Sequence, residues 1–231
     1  MTLAAGYLAL SILVTILLFV IGEHTIRKTF EANYIKKLLI LISGLLGWNI
    51  YIWLMANSGL IADFSFPPKF FLTLILPAFI FTGAFIYTNR NKQWIQNIPT
   101  QWLVYVQTYR IAIEVLFVYS VTASILPPQV TIEGYNFDMI FASSAPVIAL
   151  LVFQFNQLPL KAILYWNYAG LLIILSIIIL FLTSIYAPHL YPESPYISLK
   201  FTSYPFVLVA GYLMPAAVFI HVLSIVQLTK R

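Results

Sequence analysis

Two opposite charges lie inside one of the long apolar stretches of the chain. Arg110 and Glu114 are four residues apart, and Gln107 precedes Arg110 by three, so the three side chains share one face of a helix. A charged residue at the centre of a bilayer costs about 2.5 to 3.5 kcal/mol on insertion scales. Each charge is therefore expected to face protein, water or the other charge.

Two interpretations of this polar stripe remain open. In the first, Arg110 and Glu114 neutralise each other as an ion pair that holds their helix in a bundle. In the second, Arg110 binds an anionic group and Glu114 gains and loses a proton. Burial favours the protonated form of a carboxyl group, whereas a neighbouring guanidinium favours the ionised form, so the balance would respond to a bound ligand.

A second polar stripe lies in an earlier apolar stretch. Asn49, Trp53 and Asn57 follow one another at intervals of four residues, which places them on one helix face. They are candidates for lining the same interior as Arg110 and Glu114. The alternative is that they form hydrogen bonds between helices, a common role of polar residues in membranes.

Asn136 and Asp138 end the polar segment 127–138, which separates two apolar stretches. Asn136 is suited to cap a helix, and Asp138 is a favourable acid for a first helical turn. The alternative places both residues at an outer gate or binding rim, with Asp138 facing a water-filled vestibule.

No motif predicts a metal, a cofactor or a catalytic group. The chain contains no cysteine and three histidines. A metal site formed by Glu23, His24 and His221 lacks any ligand spacing, so His221 is interpreted as a hydrogen-bonded packing residue. Walker, dinucleotide-binding, zinc-protease and nucleophile-elbow motifs are absent from the sequence.

The composition requires a bilayer around the helices that carry these residues. Hydrophobic residues make up 61% of the 231 positions and charged residues only 8%, against roughly a quarter charged in soluble proteins. Seven apolar stretches are each long enough to cross a hydrocarbon core of about 30 Å. The seven predicted spans are 3–21, 38–55, 70–87, 102–125, 136–155, 163–185 and 206–226.

The positions of lysine and arginine predict the orientation. With the N-terminus outside, the outer loops contain only Lys69 and Lys200, and the remaining basic residues apart from the intramembrane Arg110 fall on the inner side, including Arg231 at the C-terminus. We therefore expect an N-out, C-in protein of a plasma membrane or bacterial inner membrane. The formal net charge of +5 is explained by this topology, and no nucleic-acid binding is predicted.

The expected fold is an all-α bundle of seven transmembrane helices forming one domain, 1–231. The longest connecting segments have fewer than about 20 residues, too few for a soluble domain. The third and seventh stretches show the same pair of prolines ten residues apart, one just before the stretch and one within it: Pro67 and Pro77, and Pro205 and Pro215. This match raises the hypothesis of a parallel 3+1+3 repeat, as in some permeases.

The preferred functional prediction is a binding protein or permease for a small polar or anionic solute. One alternative is an intramembrane enzyme that acts on a lipid or isoprenoid headgroup, with Glu114 or Asp138 as acid or base and Arg110 on phosphate. Another is a non-catalytic subunit or assembly factor that associates with copies of itself or with a membrane partner. The lipid bilayer is the one partner that all three predictions share.

Overall fold

The chain folds into helices and connecting loops. The computed structural model describes residues 2–192 and 194–230, so Arg231, used above for the orientation, lies outside the described residues. Within these ranges there are seven long helices and no strand, and each predicted apolar stretch overlaps one helix. The helices are α1 Leu3–Thr29, α2 Glu31–Asn57, α3 Phe71–Asn89, α4 100–122, α5 Asp138–Gln154, α6 Leu160–Tyr186 and α7 Val209–Leu228.

Five of these helices are long and apolar enough to cross a membrane: α1, α2, α3, α6 and α7. Helix α5 is shorter, and α4 does not belong to the five, although it extends over 100–122. Helix α4 contains Arg110 and Glu114 and is interrupted at its centre by a 3₁₀ turn, Val106–Thr108. The two helices outside these five are therefore the two that contain the charged residues of the predicted site, Arg110, Glu114 and Asp138.

Helix α7 lies at the centre of the molecule. In its apolar window 72% of residues are buried, whereas in α2 only 6% are. Small residues allow this close packing. At Gly211 a Cβ atom would lie 3.2 Å from Ile52 of α2, which shows how closely the two helices approach.

Helices α3 and α7 share an irregular first turn. Each begins with a π-helical turn, Phe71–Ile75 in α3 and Val209–Leu213 in α7, and a proline follows two residues after each turn. A proline has no N–H, so the carbonyl four residues earlier loses its usual helical donor. These carbonyls belong to Thr73 and Gly211, and both need another partner.

Helix α2 supplies the missing donors. The Tyr51 hydroxyl donates to the Thr73 carbonyl at 2.8 Å, and the Trp48 indole N–H donates to the Gly211 carbonyl at 2.8 Å. The two rings stack on each other with centroids 5.0 Å apart. One pair of aromatic residues therefore completes the backbone hydrogen bonding of both irregular helices.

The connection between α4 and α5 folds back into the protein. Residues 125–127 and 129–131 of this loop are buried, and Asn136 is only 1% exposed. Gly134 packs so closely on Gln129 that a Cβ atom would lie 2.4 Å from its Cα, which requires glycine at this position. As a result α5 begins inside the molecule, beside the middle of α4.

Contacts between loops define the two ends of the bundle. At one end Tyr135 lies next to Tyr191, with ring centroids 6.0 Å apart, and the Ser198 N–H donates to the Ile125 carbonyl at 3.0 Å. At the other end the Asn97 amide donates to Thr29 at 2.9 Å, and Thr100 donates to Gln227 at 2.8 Å. The α4–α5 and α6–α7 loops thus share one end, and the C-terminal ends of α1 and α7 share the other.

Candidate functional site

A buried ion pair joins α4 to α5, but its partners differ from those predicted. The Arg110 Nε lies 3.1 Å from the Asp138 carboxylate, and Nη2 contacts the second carboxylate oxygen. Both side chains are buried, with Arg110 1% and Asp138 5% exposed. The pairing of Arg110 with Glu114 proposed from the sequence is therefore wrong, and Asp138 does not face a vestibule.

The physical reason lies in the geometry of the two partners. A guanidinium group presents a planar fork that fits a carboxylate bidentately when the carboxylate faces it. Asp138, the first residue of α5, faces Arg110 from a neighbouring helix because the α4–α5 loop folds inward. The interval of four residues put Glu114 on the same side of α4, but it could not reveal a facing residue 28 positions away.

Arg110 also fixes the proton positions of His221. Its Nη1 lies 2.9 Å from His221 Nε2, and His221 Nδ1 lies 2.8 Å from the Asn167 Oδ1. Arginine can only donate, so Nε2 accepts and the His221 proton resides on Nδ1, where it is donated to Asn167. The Asn167 amide N–H in turn donates to Ser224 at 3.0 Å. His221 is therefore a neutral link in a chain of hydrogen bonds from α4 to α6 and α7.

Glu114 lies in α4 four residues after Arg110 and contacts Asn136 of the α4–α5 loop. Its Oε1 accepts a hydrogen bond of 2.8 Å from the Asn136 amide, whose second N–H donates to the Val130 carbonyl at 3.0 Å. The Asn136 Oδ1 accepts from the Asp138 N–H at 2.9 Å and so satisfies the first backbone donor of α5, although the residue at the N-cap position is Phe137 and not Asn136. Glu114 Oε2 has no hydrogen-bond partner among the described residues, although the side chain is only 1% exposed.

Gln107 presents a second unpaired oxygen on the same face of α4. Its amide N–H donates to the Ala217 carbonyl at 3.2 Å, while Oε1 has no partner within the described ranges. The unpaired side-chain oxygens of Gln107 and Glu114 belong to residues on either side of Arg110 in the sequence of α4. Two buried acceptors without donors are costly unless a proton, a water molecule or a ligand satisfies them.

Aromatic rings form one wall of the site. The Phe141 ring stacks on Trp166 with centroids 4.9 Å apart, and the Arg110 guanidinium carbon lies 5.4 Å from the Phe141 centroid. Gly170 of α6 lets His221 approach this wall, since a Cβ atom there would lie 2.4 Å from the His221 Cε1. The guanidinium is therefore held by a carboxylate, an imidazole and an aromatic face together.

The structure separates the α2 stripe from this cluster. The amide groups of Asn49 and Asn57 donate to carbonyls of their own helix, those of Leu45 at 2.9 Å and Trp53 at 2.7 Å. The Trp53 side chain is 49% exposed. Within residues 2–192 and 194–230, no hydrogen bond joins Asn49, Trp53 or Asn57 to the cluster. We therefore define the polar cluster by Gln107, Arg110, Glu114, Asn136, Asp138, Asn167, His221 and Ser224.

No family model, curated protein or solved structure matches this chain at a significant level.

Three members of the polar cluster were missed as site residues from the sequence: Asn167, His221 and Ser224. His221 and Ser224 are three residues apart on α7, a spacing that shares a helix face and could have indicated a polar patch. Asn167 was noticed only as part of a Trp-Asn pair. Nothing in its sequence position reveals that its oxygen accepts from a histidine 54 residues away.

Proposed function

We propose that the protein is a seven-span membrane permease that binds a small polar solute at the polar cluster. The observation that carries this proposal is Glu114 Oε2, a buried carboxylate oxygen without a partner among the described residues. It lies beside the start of α5, to which Glu114 is linked through Asn136. A ligand that donates a hydrogen bond, or a proton, would satisfy this oxygen.

The start of α5 inside the bundle supports the proposal. Non-helical backbone at membrane depth is tolerated where it is buried in protein or lines a cavity, and transporter sites use such interrupted helices. The helix N-terminus carries a partial positive charge, which favours the carboxylates of Asp138 and Glu114 nearby. The arrangement is typical of a site that handles polar groups in an apolar surrounding.

The contacts of Arg110 narrow the class of solute. All three guanidinium nitrogens already have partners in Asp138 and His221. Arg110 is therefore a poor clamp for an anion and serves instead to hold α5 and α7 in position. The unpaired oxygens of Glu114 and Gln107 are acceptors, so we propose a polar solute with hydrogen-bond donors rather than an anion.

The loop contacts support an arrangement with seven crossings, N-terminus outside and C-terminus inside. If α4 and α5 both cross, the α4–α5 and α6–α7 loops must share a side, and the contact between Tyr135 and Tyr191 agrees with this requirement. Lys69 and Lys200 would then be the only basic residues in the outer loops, as the positive-inside rule favours. The similar π-helical turns of α3 and α7 support a parallel 3+1+3 repeat within one helical domain.

A structural role is the second candidate, and the saturation of the Arg110 nitrogens favours it. A buried ion pair in which each guanidinium nitrogen has a partner can fix helix packing without binding anything. In that case the protein would be a subunit or an assembly factor, and the unpaired oxygens would contact water. The two candidates differ in whether Glu114 responds to a solute.

Thermal unfolding of the purified protein tests the proposal. Wild type, Glu114→Gln and Glu133→Gln are screened in detergent against sugars, vitamins, amino acids and small anions at several pH values. Glu133 is a matched control because it is an exposed carboxylate in the α4–α5 loop, outside the polar cluster. We expect a solute at 100 times its Kd to stabilise wild type and Glu133→Gln by about 2.7 kcal/mol. Glu114→Gln should lose this response and keep its unliganded stability.

Uptake of the same solute into proteoliposomes then separates a permease from a binding protein. Equal affinity and equal pH dependence in Glu114→Gln and wild type would refute the assignment of the site to Glu114. A lower stability of Glu114→Gln, with no solute response in any of the three proteins, would instead favour the structural role.

A further inference from the structure

An open apolar groove runs along the outer half of α6, away from the polar cluster. It is shallow, with a cavity volume of about 70 Å³, and lies between the first turns of α3 and α7 and the last turns of α6. The α6 side chains that line it extend from Ile177 to Tyr186, or about 14 Å along the helix axis. Every lining residue is apolar except Tyr186.

Aromatic rings form part of the lining. Phe117, Phe181 and Phe201 contact one another, with ring centroids 5.7 Å apart for Phe117 and Phe181 and 5.4 Å apart for Phe181 and Phe201. Phe117 and Phe201 are each only 2% exposed and belong to the core. Rings held in this way form a firm apolar surface along which a hydrocarbon chain can lie.

Two lysines lie at the end of the groove near the outer loops. Lys69 stands between two lining residues, Pro68 and Phe70, and Lys200 directly precedes the lining residue Phe201. The Phe70 and Phe201 rings are 6.3 Å apart, so the two lysines belong to neighbouring segments. These are also the only two basic residues that the predicted topology assigns to the outer loops. Both are adjacent to the same groove.

The remaining charged and polar groups at this end are few. Asp63 lies 2.8 Å from the Lys69 ammonium, and hydrogen bonds from Lys69 and Ser65 lower the pKa of Asp63 to about 2. Lys200 is exposed and lies 5.7 Å from the Phe206 ring centroid. Within residues 2–192 and 194–230, no salt bridge joins Lys200 to a carboxylate. The Tyr186 hydroxyl adds one hydrogen-bond donor.

We propose that this groove binds one anionic phospholipid, with an acyl chain along the aromatic surface and the phosphate at Lys69 and Lys200. The apolar lining excludes a polar solute, and the net positive charge at one end, two lysines against Asp63, favours an anionic headgroup over a zwitterionic one. The proposal commits to a lipid because only an amphiphile satisfies both ends of the groove. It does not depend on a solute at the polar cluster.

Native mass spectrometry of the purified protein measures this binding directly. The probes are phosphatidylglycerol, phosphatidylcholine with the same acyl chains, and inorganic phosphate. The variants are Lys69→Gln combined with Lys200→Gln, Leu182→Trp, which fills the groove, and Lys161→Gln, a matched charge control at the predicted inner side. Near-surface lysines each contribute about 1 kcal/mol toward anionic lipids, or about fivefold in affinity.

We expect wild type and Lys161→Gln to bind phosphatidylglycerol more tightly than phosphatidylcholine and to bind no inorganic phosphate. The double lysine variant should lose about 25-fold in affinity for phosphatidylglycerol and little for phosphatidylcholine. Leu182→Trp should lose both lipids. An unchanged preference for phosphatidylglycerol in the double lysine variant would overturn the headgroup site, and full lipid binding by Leu182→Trp would overturn the groove as the chain site.

Discussion

At the scale of single residues, Arg110 determines the state of its neighbours. It donates to Asp138 and to His221, and since arginine cannot accept, His221 must stay neutral with its proton on Nδ1. Glu114 is near this network but does not pair with Arg110. The two carboxylates of the cluster therefore have different roles, which substitution can separate.

Asp138→Asn is predicted to destabilise the protein much more than Glu114→Gln. The first change leaves the buried Arg110 without its counter-charge, at a cost of about 3 to 5 kcal/mol. The second keeps an acceptor for Asn136 and removes a carboxylate that has no cationic partner, so the expected change is within about 1 kcal/mol. Unfolding free energies in detergent micelles measure both. Equal losses in the two variants would mean that Arg110 shares its charge with both carboxylates.

Gly170→Ala is predicted to displace His221 and loosen the cluster. A Cβ atom at this position would lie 2.4 Å from His221 Cε1 and 2.9 Å from Phe141 Cε1, so both rings must shift. Overpacking of this kind costs about 1 to 3 kcal/mol. Gly47→Ala in α2 is the matched control because no atom lies within 4 Å of its Cβ position. Thermal unfolding of both variants decides the prediction, which fails if Gly170→Ala is as stable as Gly47→Ala.

At the scale of the elements, α2 stabilises helices from the periphery. Its residues are mostly exposed, yet Trp48 and Tyr51 donate to carbonyls that prolines have left without a helical donor. The π-helical turns of α3 and α7 therefore depend on a third helix for complete hydrogen bonding. In an apolar surrounding an unsatisfied carbonyl costs several kcal/mol, so this dependence links α2 to the centre of the bundle.

A double-mutant cycle between Trp48→Phe and Pro215→Ala tests this dependence. Trp48→Phe leaves the Gly211 carbonyl without its donor and should cost about 1 to 3 kcal/mol. In Pro215→Ala the backbone N–H of residue 215 can bond to that carbonyl, so the loss from Trp48→Phe should shrink by about 1 kcal/mol. Trp53→Phe on the same helix is the control and should show no coupling to Pro215→Ala. Strict additivity of Trp48→Phe and Pro215→Ala would contradict the assigned role.

At the scale of the whole molecule, the α4–α5 loop distinguishes seven crossings from five. If α4 and α5 do not cross, this loop lies on the side of the C-terminus, and if they cross, it lies with the α6–α7 loop. Because the sequence contains no cysteine, single cysteines can be introduced without background labelling. Tyr135 suits this purpose, since it is 61% exposed within the loop.

Tyr135→Cys is predicted to react with a membrane-impermeant maleimide added from outside. Two controls give the same result whether five or seven helices cross. Tyr196→Cys in the α6–α7 loop should react from outside, and Asn91→Cys between α3 and α4 should be protected. Labelling of intact cells or oriented vesicles supplies the measurement. Protection of Tyr135→Cys, with labelling of Tyr196→Cys, would reduce the number of crossings to five.

Much of the fold could be predicted because apolar helices are encoded locally. Seven stretches of apolar residues overlap seven helices, and Pro77 and Pro215 each follow an irregular turn. The approximate bounds of α5, the position of Asp138 in its first turn and the hydrogen bond of Asn136 to its first N–H also follow from local residue types. Short-range preferences are sufficient for these features.

The partners in the polar cluster could not be predicted in the same way. Arg110 and Asp138 meet because a loop folds inward, and His221 meets Asn167 because α6 packs on α7. Such contacts depend on the relative positions of helices, which a single sequence does not encode in any spacing. The α2 stripe illustrates the opposite error, since its regular spacing indicated an interior face that the packing leaves largely exposed.

The buried pair of Arg110 and Asp138 also has a consequence for biosynthesis. In the proposed seven-span arrangement, α4 contains two charges and α5 is short and begins with one, so neither would enter the bilayer readily alone. Pairing Arg110 with Asp138 removes the cost of both charges in one step. The two helices are therefore expected to leave the translocon together as a hairpin, after the loop between them has already folded.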